Sequence, residues 1–498
     1  MKIPKFVVNT IKQLETAGFE AFIVGGCVRD LLLCKEPKDW DITTNARPEK
    51  IQEIFPESKY ENTFGTVLVK IKNKQNETEE VLEVTTYRSE QGYSDRRHPD
   101  EITFEDDLEK DLSRRDFTIN AMAIQLSIIN YQLSITNAEY VELKEDDYTV
   151  IDLFGGRSSL DKRIIRAVGE PIDRFKEDAL RMLRAIRFSS QLGFKIEDKT
   201  FRAITKMAGG IKFIANERIK DELIKIFESN KAYEGVQALH DAKLLQYILP
   251  ELERGIGVAQ NKHHIYPVFN HSMLSLKFCP SKKWQVKFAC LMHDIAKPQT
   301  KKIIDGDATF YNHDIVGAKI AKKILMRLKF SNEDVEKITT LIRNHMFYYN
   351  VDEVTAAAVR RLIVKVGEDN LKDLIDIRIG DRLGSGVPKA KPYKLRHLEY
   401  MLDKVRKDPI SAKMLKLNGD ELMKLLKIEP SPKIGAILDV LLSEVIEDPE
   451  LNTKVYLEKR SHELNKLDLQ ALRAQAKEKI EEKKMEDDQE LKKDHFVK

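Results

Sequence analysis

Two carboxylates, Asp39 and Asp41, flank a tryptophan in the segment PKDWDITT. In an extended segment alternate side chains share a face, so the pair points one way. Like charges that close repel each other, which makes sense mainly with a divalent cation between them. Mg²⁺ is a hard ion suited to one or two carboxylates plus substrate phosphates. Just upstream, Gly25 and Gly26 separate the apolar run AFIV from VRDLLL. Glycine lets backbone N–H groups approach a polyphosphate, and a helix N-terminus adds partial positive charge. Each feature alone is an ordinary turn; in this order and spacing they read as a metal-and-triphosphate site. A second set of candidate ligands is His271, His293, Asp294, His313, His345 and Asp381. A single histidine on an apolar helix is usually a satisfied core residue. Imidazoles and carboxylates in such an ordered series suit Mn, Fe, Ni, Zn or Mg, and predict a separate metal site.

These residues need elements to hold them. The patterning predicts an amphipathic helix over 6–17, a buried strand over 21–24, a helix over 28–33 and a short helix over 48–55. Strands are predicted over 64–71 and 81–87, the second carrying Glu83. Residues 88–100, RSEQGYSDRRHPD, read as a mobile loop. Asp111 or Ser113 is expected to cap a helix that starts near Arg114, Arg115 and Asp116. Over 174–194 one helix is expected, with Ala179, Leu180, Leu183, Ile186 and Phe188 apolar and Asp178, Arg181 and Arg184 on another face. A further helix over 216–227 takes Asn216 as its N-cap. The chain breaks around 255–267, is helical again over 386–460, and ends in a charged tail that reads as a solvated helix or as disorder. There is no internal repeat.

Composition bounds the function classes. A length of 498 residues suggests about three or four domains. One third of the residues are charged and no apolar run reaches the roughly 18 residues of a membrane span. The first fifteen residues lack the apolar core of a signal peptide. Four cysteines without CxxC spacing fit a reducing compartment, so a cytoplasmic protein without a membrane partner is expected. A net charge of +3 does not announce a nucleic-acid binder; an RNA partner requires basic groups gathered on one face.

The stretch GGCVRDLLLCKEPKDWDITT resembles the GGxVRDxLLG…DxDxxT signature of the tRNA nucleotidyltransferase and poly(A) polymerase family. Cys34 departs from it, standing where the signature usually has Gly. RRDFTINA is similar to the family's second motif. Asp152, Gly155 and Gly156 match a third element, thought to couple head and neck. Glu177, Asp178 and Arg181 match a Glu-Asp-x-x-Arg element. ERI…EL helices occur in the family's neck, and the 88–100 loop resembles its flexible loop. The histidine–aspartate series resembles the HD phosphohydrolase superfamily, found C-terminal to the head in one branch. LKLNGDELMKLLKIEPSPKIGAIL, with Pro432 and Gly435 near a helix start, resembles the C-terminal segment.

The resemblance implies an α+β fold: a mixed α/β nucleotidyltransferase head, polymerase-β-like, then all-helical neck, HD and C-terminal regions. The expected boundaries are 1–160 head, 161–254 neck, 255–385 HD, 386–460 tRNA-contacting region and 461–498 tail. It implies that Asp39, Asp41 and Glu83 are catalytic and that the first two hold Mg²⁺. Gly25, Gly26, Arg29, Arg115, Asp116, Asn120, Glu177, Asp178, Arg181, Arg184 and Arg187 are implied to bind the nucleotide. The expected reaction is template-independent addition of CCA from CTP and ATP to the 3′ end of tRNA. A-only addition, poly(A) synthesis, or an HD nucleotide phosphohydrolase with an idle head are the alternatives; the 88–100 loop argues against a CC-only enzyme. Chemistry supports the base-reading assignment. A carboxylate only accepts and a guanidinium only donates, so Asp178 with Arg181 suits the amino-plus-ring-acceptor edge of C and A and opposes U and G.

Overall fold

The structure, a computed structural model, describes residues 1–61, 65–72, 78–91, 101–127, 139–260, 265–347, 349–351, 354–407 and 415–497. The chain forms two compact units: Met1–Arg343 with Gly384–Gly386, and Asn344–Leu383 with Val387–Lys498. The fold is α+β, with strands concentrated in the head and helices thereafter. Among the described residues no helix is long and apolar enough to cross a membrane.

Among the described residues, eleven strands shape the head: β1 (Lys2–Pro4), β2 (Ala21–Val24), β3 (Asp41–Thr44), β4 (Ser58–Tyr60), β5 (Thr66–Lys72), β6 (Thr78–Thr86), β7 (Arg88–Gln91), β8 (Glu101–Phe104), β9 (Ala123–Leu126), β10 (Tyr140–Glu142) and β11 (Tyr148–Ile151). Seven form one mixed sheet in the order β11-β9-β2-β3-β6-β5-β4, in which only β3 and β6 run parallel. β1 pairs with β10, and β7 with β8, as separate antiparallel ribbons. One register line crosses the sheet through Ile124, Ile23, Ile42, Val84 and Val67. All five are fully buried, so the hydrophobic effect fixes the register of the central strands. Since side chains alternate, Asp41 and Glu83, each one residue before this line, project from the opposite face.

The helices Pro171–Glu177 and Leu180–Leu192 pack on the head, Arg174 Nη1 donating to the Ser113 carbonyl at 3.1 Å, and the helix Asn216–Glu228 packs on the second of them. Phe188 meets Phe117 edge-on, ring centroids 5.8 Å apart. The second unit is helical, with Leu422, Ile437, Leu441, Leu457, Leu464 and Leu472 in its core.

Several local expectations are corrected. The helix near the second motif is Leu108–Ser113; it is capped by Asp107 and ends where Arg114 begins, so Asp111 and Ser113 lie in its last turn. Instead of one helix over 174–194 there are two, broken at Asp178 and Ala179, because Asp178 takes extended backbone angles. Asn216 is the first helical residue, and Ala215 precedes it as cap. Asp39 sits in a bend before β3 rather than on the strand. Of the two readings of the tail, solvated helix or disorder, the structure has a helix, Leu469–Asp494, with the Asp468 side chain accepting from the Ala471 N–H. Of the stretch read as a mobile loop, Arg88–Gln91 is instead the strand β7, paired with β8, while 92–100 and residue 64 fall outside the described residues.

Candidate active site

Gly25 leaves β2 with φ 90° and ψ −136°, a conformation open essentially to glycine alone, and the helix Gly26–Leu32 follows. Its N–H donates to the Met122 carbonyl at 3.3 Å. A Cβ on Gly25 would lie 3.0 Å from Arg115 Nη1 and 3.3 Å from Asp41 Oδ2. The bare backbone therefore faces a cation and a carboxylate at once. That is the arrangement a polyphosphate with a counter-ion needs.

Asp41 opens β3 and is the register partner of Glu83 on the parallel strand β6. Burial raises the Asp41 carboxyl above its ordinary range; Arg115 pulls it down and Asp39 pushes it up. Glu83 is raised by its own burial and by Asp41, Glu61 and Asp39. Asp39, although off the strand, thus belongs to the same electrostatic cluster. Three hard-oxygen donors gathered in one place fit a divalent cation.

Arg115 is aimed from below. Asp111, completely buried, accepts from Arg114 Nη2 at 2.6 Å, Arg114 Nε at 3.0 Å and Arg115 Nη2 at 3.2 Å. Thr43 of β3 donates to it at 3.4 Å. Burial alone would raise the Asp111 carboxyl, but Arg114 and Arg115 outweigh burial and hold it below the ordinary range. The sequence offers Asp111 only as a helix cap, and its place beneath Arg114 and Arg115 emerges from the fold.

A second network runs from the glycine turn to the neck. Arg29 Nη1 donates to Asn120 Oδ1 at 2.7 Å, Asn120 Nδ2 to Asp116 Oδ1 at 3.2 Å, and Arg184 Nε to Asp116 Oδ2 at 2.7 Å. Burial opposes the charge on Asp116, yet Arg184, Arg181 and Asn120 hold its carboxyl at about 2. Arg29, Arg184 and Arg187 all stand over the Phe188 ring, at 5.3, 5.5 and 4.1 Å from its centroid. Burial pushes Arg187 down to about 10, with Glu222, 3.1 Å away, as its counter-charge. The third motif closes tightly beside this network: Asp152 accepts from the Gly156 and Arg157 N–H groups, and a Cβ on Gly156 would stand 2.5 Å from the Thr118 carbonyl.

The two base-reading candidates have different partners. Arg181 donates to Glu177 Oε2 and to the Arg114 carbonyl, the latter at 3.1 Å. Asp178 is paired with Arg218 of the helix Asn216–Glu228, at 2.7 Å, and accepts from the Leu180 N–H at 2.9 Å. The expected shared helical face does not exist, since Asp178 lies in the link between helices. Arg218 was not singled out from sequence; its position in ERIKDEL was the available signal.

The first unit also gathers His271, His293, Asp294 and His313. His271 Nε2 and His293 Nε2 are 3.1 Å apart and each is 3.2 Å from Asp294 Oδ2; His313 Nε2 is 3.4 Å from Oδ1. The carbonyls of Cys290 and Phe310 take the Nδ1 atoms of His293 and His313 at 2.7 Å, which leaves both Nε2 atoms for a metal. Burial opposes the Asp294 charge, but His293 and Lys297 hold its carboxyl well below the usual range. His345 and Asp381 belong to the second unit, where both are buried and Arg378 donates to Asp381 at 2.6 Å.

Comparison with known proteins follows the same division. The poly(A) polymerase head domain family matches residues 21–166, a probable RNA- and SrmB-binding site of polymerase A matches 193–256, and the HD domain matches 264–385. A CCA-adding enzyme of Limosilactobacillus fermentum is 33% identical over 92% of this chain and 96% of its own length. The chain belongs to the CCA-adding enzyme family. The CCA-adding enzyme of Pediococcus pentosaceus is 44% identical over a shorter match, 48% of this chain and 54% of that protein, so the chain aligns with about half the length of that relative. Among solved structures, the Bacillus stearothermophilus CCA-adding enzyme in complex with CTP has a TM-score of 0.57 and 26% identity over 94% of this chain and 98% of its own. A tRNA nucleotidyltransferase complexed with a primer tRNA and an incoming ATP analog shares the fold, with a TM-score of 0.52 and 21% identity over 81% of this chain and 100% of its own. Gly25, Asp41, Glu83 and Arg115 lie within the residues matched by the head-domain family, and Asp178 and Arg181 lie between that match and the one over 193–256.

Proposed function

We propose that this protein adds C, C and A to the 3′ end of tRNA, using CTP and ATP without a nucleic-acid template. The observation that carries the reading is the Asp41–Glu83 pair on parallel strands, set against the side-chain-free backbone of Gly25 and the Arg115 guanidinium. In this reading 1–160 is the catalytic head, 161–254 the neck that reads the base, 255–385 the HD region, and 386–460 contacts tRNA in the cytoplasm.

Gly25 and Arg115 receive the triphosphate. The terminal 3′-hydroxyl of the tRNA attacks the α-phosphorus, the bond to the β-phosphate oxygen breaks, and pyrophosphate departs. Asp39, Asp41 and Glu83 would hold Mg²⁺, which when bound activates the hydroxyl and offsets charge on the leaving group. Asp111 keeps Arg115 directed at the phosphates. Asp178, kept in place by Arg218, accepts the exocyclic amino group of C or A, and Arg181, fixed by Glu177, donates to the neighbouring ring nitrogen. A U or G opposes like partners, at about 1–3 kcal/mol per buried unsatisfied group.

A second reading concerns the HD region alone. The buried His271–His293–Asp294–His313 cluster supports a divalent metal and a phosphohydrolase activity beside nucleotide addition. The test uses tRNA ending before CCA, after C and after CC, each with single and mixed NTPs. CTP should extend the first two and ATP the third. ATP incorporation alone would mark an A-adding enzyme, and a run of A a poly(A) polymerase. Metal-dependent hydrolysis without any incorporation would leave only the HD reading.

A further inference from the structure

A cavity of about 340 Å³ lies where the C-terminal end of the helix Leu180–Leu192 meets the start of the helix Ala232–Asp241. Arg163, Gln191, Gly193, Asn230 and Lys231 line it, and none of its lining residues is acidic. We propose that it is a second phosphate site, which binds a phosphate dianion, either inorganic phosphate or the terminal group of a small phosphomonoester. It is set apart from the Gly25 cradle. The helix Leu180–Leu192 has 13 residues and is roughly 20 Å long. Its first turns carry Arg181 and Arg184, whereas its last turn walls the cavity. Neither the cavity nor its charge depends on the nucleotidyl-transfer reading above.

Three observations support it. The first is charge. Arg163 and Lys231 are exposed and have no ion pair among the described residues, so the lining carries two positive charges and no negative one. The acids nearest in sequence, Asp161, Glu228 and Glu234, lie outside the lining, and Lys195 is spent on Asp198 at 3.2 Å. The two helix ends bring partial charges of opposite sign, which offset each other. A doubly charged phosphate matches this lining; the single charge of an RNA phosphodiester leaves half of it unanswered. The second is placement. Arg163 has φ 53°, a left-handed backbone that arginine rarely adopts. Its N–H donates to the Leu160 carbonyl and its own carbonyl accepts from the Lys195 N–H, both at 3.0 Å. The guanidinium carbon stands 5.7 Å from the centroid of the Phe194 ring, which directs the fork. Gly193 has φ 71°, and a Cβ there would stand 3.1 Å from Lys231 Nζ, so the missing side chain lets the ammonium lie against the backbone. The third is the supply of donors. The amides of Gln191 and Asn230 have no hydrogen-bond partner among the described residues and offer N–H groups to the phosphate oxygens that the cations leave. A volume at the lower end of the roughly 300–1,000 Å³ of small-molecule sites suits a ligand of this size.

Lys231 is its own reporter. The full chain is acylated with an N-hydroxysuccinimide ester at mildly alkaline pH, where phosphate is a dianion, and labelling is read peptide by peptide by mass spectrometry. Inorganic phosphate is the probe, titrated without divalent metal. Labelling of Lys231 should slow by about tenfold once phosphate reaches about ten times its half-saturating concentration, by mass action. Lys199, which does not line the cavity, should label at an unchanged rate. Arg163→Asn removes the charge and keeps the left-handed backbone, which asparagine accepts. It should raise the half-saturating concentration by about tenfold, the value of one charge-assisted contact. Protection by AMP at lower concentration than by inorganic phosphate assigns the site to a phosphomonoester, and the reverse order to the free ion. Unprotected Lys231, equal protection in Arg163→Asn, or equal protection by chloride at matched ionic strength overturns the site. Protection by tRNA but not by phosphate or AMP also overturns it, and makes the cavity a contact for the RNA backbone.

Discussion

Replacing Gly25 by alanine, with Gly26→Ala as its partner variant, separates two reasons for a glycine pair. At Gly25 the backbone has φ 90°. An alanine held there is strained by about 1–3 kcal/mol. Its methyl would also stand 3.0 Å from Arg115 Nη1 and 3.3 Å from Asp41 Oδ2. The first distance is tighter than ordinary van der Waals contact, so the guanidinium or the carboxylate must give way by a few tenths of an ångström. Rate losses on the order of 10²-fold accompany shifts of about 1 Å, so kcat/KM for CTP should fall by about 10- to 100-fold. Gly26 is different. It is the first residue of the helix Gly26–Leu32, and its Cβ would meet nothing closer than Arg29 Nη2 at 3.5 Å. Gly26→Ala should keep activity within about threefold and gain up to about 1 kcal/mol of helix propensity. The assay is steady-state CTP incorporation into tRNA lacking its last three nucleotides, with thermal melts of both variants. Near-normal turnover by Gly25→Ala would refute the cradle geometry. Equal damage from both substitutions would refute the assignment to backbone conformation.

Asp41→Ala or Asp39→Ala should abolish incorporation without unfolding the head, checked by incorporation and circular dichroism; near-normal turnover would remove the metal assignment. Asp41 and Glu83 have raised folded-state carboxyl affinities, so their contribution to stability is present at low pH and lost as pH rises through those raised values. Without Mg²⁺ the melting temperature should therefore drop on going from acid to neutral pH, and Asp41→Asn should lessen the drop; a flat profile contradicts the cluster. For Asp111 the direction reverses: its stabilisation is present above the ordinary carboxylate range and lost as pH falls through its lowered value. Asp111→Asn should cost about 3–5 kcal/mol, because Arg114 and Arg115 lose a buried counter-charge, and should raise KM for NTPs more than it lowers kcat. Asp178→Ala with Arg181→Ala should erase preference among the four NTPs, read from single-NTP incorporation, and retained refusal of UTP and GTP would contradict base reading. His293→Ala with Asp294→Ala should remove metal-dependent phosphate-ester hydrolysis and spare nucleotide addition; loss of both in a folded protein would make the region structural.

The α+β architecture and the family were legible because their signals are local. An apolar tetrapeptide before two glycines, and a carboxylate pair thirteen residues on, occupy one short stretch of chain. The long-range pairings were not legible. Nothing in the spacing says that Asp178 turns to Arg218, forty positions away, because a helical period continues across the link where extended angles intervene. Asp111 failed differently. An aspartate before a helix-like run is a cap by default, and only the fold reveals a carboxylate sealed from water beneath two guanidinium groups. Asp39 and Asp41 were placed on one face by alternation, yet the cluster forms with Asp39 on a bend, since proximity rather than strand geometry sets the electrostatics.

The bond between Asp116 and Arg184 bears on how this protein can be cut and recombined. Asp116 is on the head and Arg184 on the neck, and both the carboxylate and the Phe117–Phe188 ring contact are buried. A fragment ending at residue 166 would carry an interior anion stripped of its cation and a phenylalanine facing water. A chimera with a relative should place its crossover beyond Glu228, so that the head and the helices that neutralise it are inherited together.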